Sequence, residues 1–190
     1  MRGARRRFKG KYDICTFYLV PGGTLLFASL GSWTDTNFSV LGSLAANRLF
    51  LGLWGAGIVL YYVLYVRYLF CIGRYRRPWG NSLVSLSAAF LLTAVMIPYL
   101  PEKYPLGAAL HVLLAFFSPI LLTVGIIGFL RFLSSRNRQR FRRAWVILWA
   151  LAGCALAFLL HAGFITSFLE VFVVLSLCGF LRYMERLLAV

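Results

Sequence analysis

Acidic residues are scarce in this chain of 190 residues: five Asp and Glu stand against twenty Lys and Arg, and only 13% of positions are charged. A soluble domain carries about a quarter charged residues, so this composition excludes an ordinary soluble fold. Histidine occurs twice, at His111 and His161, and no H-x-x-x-H or H-E-x-x-H spacing is present, so no zinc motif is written locally. The four cysteines, Cys15, Cys71, Cys154 and Cys178, form no C-x-x-C pair, which argues against a disulfide framework or a thiolate metal site. Their simplest role is as small apolar packing residues. No G-x-S-x-G element, P-loop or dinucleotide fingerprint occurs, so no nucleophile is identified and no cofactor is implied.

Apolar residues are abundant. They make up 61% of the chain, with mean hydropathy +0.81. Six apolar stretches, at about 14–30, 49–72, 83–100, 106–130, 144–160 and 163–181, are each long enough to cross roughly 30 Å of hydrocarbon. Lipid offers no backbone hydrogen bonds, so each stretch must form a helix. The expectation is an all-α bundle of six transmembrane helices making one domain over residues 1–190.

The basic residues give this bundle an orientation. Eighteen of the twenty fall in four short stretches: Arg2 to Lys11, Arg67 to Arg77, Arg131 to Arg143, and Arg182 with Arg186. Excess Lys and Arg marks the cytoplasmic side, so both termini are expected there, in the plasma membrane. The same charges would attract anionic inner-leaflet lipids. They flank spans, and the aromatics that a nucleic-acid surface would need lie inside the apolar runs, so nucleic acid is not an expected partner. The basic head before the first run is too long for a secretory leader and no A-x-A site follows, so the run reads as a retained helix.

Within the spans a few residues break the pattern. Pro21-Gly22-Gly23 interrupts the first. It reads either as a broken helix lining a cavity or as a kink rescued by its neighbours. Gly52, Gly55 and Gly57 offer a close-packing surface, and Ser82, Ser85 and Thr93 are typical glue between membrane helices. Tyr61, Tyr62, Tyr65, Tyr68 and Tyr75 trail toward the inner interface, where amphipathic rings settle. The connection 31–47 is the longest and most polar, and Asn37-Phe38-Ser39 fits a glycosylation sequon.

With the arginines assigned to orientation, the remaining ionisable groups fall on the outer side. Asp35, Arg48, His111, His161 and Glu170, with Thr166 and Ser167 one turn before Glu170, are the candidate ligand-binding residues. Glu170 is placed about 10 Å below the outer end of the last span, a costly depth for a carboxylate. A pocket formed by these residues would take a lipid head group or small solute, in a sensor, scaffold or transporter. Homo-oligomers or a membrane partner subunit fit this reading. An intramembrane metal-dependent lipid hydrolase and the substrate-binding subunit of a modular vitamin importer are the competing readings.

The stretch Phe38-Ser39-Val40-Leu41-Gly42, followed by Asn47 to Leu60, resembles the six-span DUF998 and Frag1/DRAM/Sfk1 families. There a first helix leads to an outer loop with a Ser-x-Leu-Gly-like element and a second helix rich in small residues. The resemblance implies a six-span layout and a part in lipid and membrane homeostasis. It implies no catalytic residue.

Overall fold

The computed structural model describes residues 10–189. The basic residues Arg2, Arg5, Arg6, Arg7 and Lys9 lie outside the described residues.

Every regular element among the described residues is a helix. Helix α1 (Cys15–Ala28) is followed by the short α2 (Phe38–Ser43) and then five long helices. These are α3 (Ala45–Ile72), α4 (Pro78–Met96), α5 (Pro105–Arg136), α6 (Arg138–Ala162) and α7 (Ser167–Ala189). All five are long and apolar enough to cross a membrane, whereas α1 is shorter.

Pro21 does not break α1. The helix opens with a π-helical turn at Cys15–Leu19, and the Val20 amide reaches back to the Cys15 carbonyl. That wider turn lies just ahead of the proline, where the ring would otherwise crowd the preceding carbonyls. The Thr24 hydroxyl then donates to the Val20 carbonyl at 2.7 Å. The Trp54 ring packs beside Gly23, and its Nε1 donates to Thr24 Oγ1 at 3.1 Å.

Two segments differ from expectation. The arginine-rich segment 131–143 reads as a loop between apolar runs but is almost entirely helical. Helix α5 continues to Arg136 and α6 starts at Arg138, with Asn137 capping α6 by accepting from the Arg140 amide at 3.1 Å. Arginine is a good helix former, so loss of hydropathy there ends the apolar run without ending the helix. The last helix begins at Ser167 and not at residue 163, because Gly163 ends α6 in a left-handed conformation (φ 76°) and the chain turns before it re-enters a helix.

Buried side chains form two clusters. The larger gathers Tyr65, Phe70, Tyr75, Phe129, Phe141 and Met184 at the arginine-rich end. The smaller gathers Phe27, Phe38, Leu41, Leu51 and Val171 at the other. Between α4 and α5 the helices are joined by Ser87 and Ser118, each hydroxyl donating to the other's carbonyl at 2.8 and 2.9 Å. Of the expected glue residues, Ser85 also joins helices, accepting from Arg67 Nη2 on α3 at 2.7 Å, whereas Ser82 donates within its own helix.

The tyrosines of α3 also depart from expectation. Tyr61, Tyr62 and Tyr65 are buried, because each hydroxyl finds a partner across the bundle. Tyr61 meets Thr16 at 2.9 Å, Tyr62 donates to the Val174 carbonyl at 2.9 Å, and Tyr65 donates to Glu185 Oε2 at 2.6 Å. Tyr75 is buried against Phe70, Phe129 and Phe132.

Candidate functional site

Away from the arginine-rich end, α3 to α7 enclose a cavity of about 660 Å³. Its walls are mainly apolar, with Trp54, Ile58, Leu91, Leu122, Val174 and Leu177 among them. Polar residues are few: Asn37, Ser39, Tyr99, His111 and Glu170 stand at one end, and Tyr62, Ser87 and Ser118 farther along the wall have their hydroxyls bonded to backbone carbonyls. The size suits a small molecule or one lipid chain, since ligand pockets run to about 300–1,000 Å³.

The cavity reaches the flank of the bundle between α5 and α6. Val112, Phe116 and Ile120 on α5 and Leu156 on α6 line it and are also 40% to 55% exposed. The two helices are tied at the arginine-rich end, where Trp145 Nε1 donates to Ser134 Oγ at 2.9 Å. Farther along, α6 leans on α7, with Phe158 packed edge-on against Phe168 and Phe172.

The polar end is built from the 31–47 connection. Asn37 caps α2 by accepting from the Val40 amide at 2.9 Å, which presents Ser39 on its first turn. The Phe38 amide donates to Glu170 Oε2 at 2.7 Å, and the Phe38 ring packs on Phe27 and Trp54. Gly42 allows α2 to lie against Leu51, since a Cβ there would sit 2.9 Å from the Leu51 Cβ. Ser39 is thereby brought to His111 across 72 residues of sequence, with Oγ to Nε2 at 2.6 Å. The other ring nitrogen, Nδ1, lies 2.8 Å from the Ala94 carbonyl and 2.9 Å from that of Ile97. Two carbonyls at Nδ1 require a proton there, so in the neutral ring Nε2 is the acceptor and the Ser39 hydroxyl donates to it.

The residues singled out in sequence divide into two groups. His111 and Glu170 line the cavity together. Glu170 stands on the first turn of α7, not two turns deep, because the helix starts at Ser167. There the helix dipole favours a carboxylate. The others serve the frame. Thr166 Oγ1 accepts from the Leu169 amide at 3.2 Å, capping α7. The Ser167 amide and hydroxyl both donate to the Thr36 carbonyl, and the Phe168 amide donates to that of Trp33. The 31–47 connection thus supplies acceptors for the start of α7. Asp35 is exposed and bound within its own turn by the Ser32 and Thr34 hydroxyls. Arg48 donates to the Met96 carbonyl at 2.7 Å, closing the end of α4. His161 is exposed on the last turn of α6.

A second polar cluster, which sequence reasoning missed, lies at the arginine-rich end. Arg182 is buried, with Nη1 donating to Glu185 Oε2 at 2.7 Å and Nη2 to Asp13 Oδ2 at 2.8 Å. Glu185, only 1% exposed, also accepts from Tyr65 and from the Gly10 amide. Arg182 is therefore an internal charge and not a surface anchor. The Arg182-x-x-Glu185 spacing signals an ion pair on one helix face. Nothing local signals Asp13 as the third member.

Among the described residues, no three His, Cys, Asp or Glu side chains converge on a common point that could hold a metal ion. No protein-family model, curated protein or solved structure matches this chain.

Proposed function

We propose that this is a multi-pass integral membrane protein whose cavity binds an amphipathic lipid. In this reading α1 and the five long helices make six spans, with both termini and the arginine-rich end in the cytoplasm. The plasma membrane is the proposed location, and the arginines contact anionic lipids of its inner leaflet. The polar end of the cavity then faces the outer leaflet.

The observation that carries the reading is the cavity itself: apolar walls, a polar end and an opening on the lipid-facing flank. Lipid tails are as apolar as leucine, so moving a chain from bilayer to cavity gains little free energy. Selection must come from the polar end. Glu170 keeps Oε2 on the Phe38 amide, and its other carboxylate oxygen can accept from a hydroxyl or ammonium of the head group. The expected ligand is therefore a single-chain or glycerol-based lipid whose head group donates hydrogen bonds.

A fluorescent ether-linked monoacylglycerol tests this with the purified protein in nanodiscs. Saturable binding is expected, weakened about tenfold or more by Glu170→Gln and weakened also by Ala115→Phe, which puts a ring into the cavity. Non-saturable partition identical in all three proteins would overturn the reading. Orientation is tested separately with a membrane-impermeant thiol reagent in a cysteine-free background. Thr34→Cys should react in intact cells and Ser135→Cys only in inverted vesicles, both positions being exposed.

A further inference from the structure

We propose that Ser39 and His111 form a nucleophile–base pair that transfers the acyl group of an ester lipid bound in the cavity. The inference rests on the lipid-binding reading and assigns that site a reaction.

Three features of the geometry coincide. The Ser39 Oγ to His111 Nε2 distance of 2.6 Å is a direct hydrogen bond between a hydroxyl and a ring nitrogen. A serine hydroxyl is a weak nucleophile until a base within about 2.6–3.2 Å removes its proton, and imidazole is the usual base. The base is itself held: Nδ1–H is shared between the Ala94 and Ile97 carbonyls, which fixes the tautomer and leaves the Nε2 lone pair on Ser39. This is the three-part logic of nucleophile, base and orienting group, with backbone carbonyls in place of a carboxylate. Finally, the pair opens on the cavity. Both residues line it, although His111 is only 4% exposed. A chain lying along the apolar wall would bring its ester to this polar end.

A purely structural Ser–His contact would not need the hydroxyl to face a space of about 660 Å³. Each partner is also fixed independently. Ser39 is placed by the Asn37 cap and the Phe38–Glu170 bond, and His111 by the end of α4. Their hydrogen bond is not needed to hold α2 in place.

The reaction balances with water as the only co-reactant. Ser39 Oγ attacks the ester carbonyl carbon while His111 Nε2 accepts the hydroxyl proton. The tetrahedral species collapses, the C–O bond to the alcohol breaks, and Nε2 returns the proton to the departing alkoxide. This leaves an acyl-serine and a free alcohol. Water then attacks the acyl-serine with Nε2 as base, releasing a fatty acid and restoring the hydroxyl. A lipid alcohol in place of water gives a transacylase by the same steps. The substrate class is an acyl ester with a hydroxyl-bearing head group, and Glu170 is positioned on that head group.

A long-chain alkyl fluorophosphonate added to the intact protein in nanodiscs tests the pair, with the adduct located by mass spectrometry. The expected adduct is on Ser39. Ser39→Ala should carry none, and His111→Gln should react at least 100-fold more slowly, as loss of a general base predicts. Binding of the ether-linked monoacylglycerol is measured on the same preparations and shows whether each variant is folded with an intact cavity. Ether lipid bound by the wild type but no adduct at Ser39 overturns the inference and leaves the lipid-binding reading standing. Absence of both adduct and ether-lipid binding overturns both. An adduct that forms at the same rate in His111→Gln removes His111 as the base. If His111→Gln loses ether-lipid binding, His111→Asn is measured in its place under the same criterion.

Discussion

The two ends of the bundle use the same helices for opposite purposes. At the arginine-rich end, Tyr65, Phe70, Tyr75, Phe129 and Met184 fill the space between helices, and Arg182, Glu185, Asp13 and Tyr65 bond to one another. At the other end α3 to α7 stand around the cavity, which reaches the flank between α5 and α6. Most polar atoms at the first end are consumed by partners, with Asp13 Oδ1, Arg182 Nε and the Tyr75 hydroxyl as exceptions. At the second, Glu170, Ser39 and His111 are satisfied just enough to be held in place while still lining a void. A helical bundle can thus dedicate one end to cohesion and release the other from it.

Substitutions that unpair the closed end should cost most. Arg182→Ala leaves Glu185 and Asp13 without their cation, and breaking a buried pair costs about 3–5 kcal/mol. Thermal unfolding in detergent should shift further for this variant than for any of the single substitutions that follow. Replacing the pair together, as Arg182→Met with Glu185→Leu, should recover most of that loss. Tyr65→Phe removes one hydrogen bond to a carboxylate and should cost about 1.5–3 kcal/mol by the same measurement.

Steric filling sharpens the contrast. Ala144 is fully buried at the closed end, so Ala144→Phe should overpack it at about 1–3 kcal/mol. Thr166→Ala removes the cap of α7 for about 1 kcal/mol and should leave ether-lipid affinity unchanged. The smallest effect on stability is expected at Ala115, which faces the cavity. Ala115→Phe should stay within about 0.5 kcal/mol of the wild type. Equal losses from the two phenylalanine substitutions would erase the distinction between the ends.

Sequence reasoning located the long helices because apolar runs report what can be buried in lipid or core. It placed their ends less well, since helix ends follow caps. Arg136 and Arg138 are helical although hydropathy falls there, and the α7 start at Ser167 depends on Gly163 and on carbonyls supplied by the 31–47 connection. The same displacement moves Glu170 from mid-helix to the first turn. His111 is visible as a rare residue inside an apolar run, and Ser39 lies in the polar connection 31–47. Their meeting is not visible, because it needs the short helix α2 folded onto Leu51. Arg182 escapes sequence reasoning for a related reason. A pattern of arginines at span ends describes an average position, whereas burial of one depends on a carboxylate 169 residues away.

That separation has a consequence for how the chain is made. Asp13 precedes the first helix and its cation sits near the close of the last. At roughly 5–20 residues per second, synthesis of the intervening stretch takes about 10–30 seconds. During that interval Asp13 has no Arg182, and α1, the shortest of the apolar helices, has neither its ionic tie nor the Tyr65–Glu185 floor beneath Gly10. Helix α1 is therefore held first by α3, through Thr16–Tyr61 and Thr24–Trp54, and gains its ionic tie only once α7 is made. Helix α7 is the clasp between late and early sequence, joining Arg182 to Asp13 and Glu185 to Gly10.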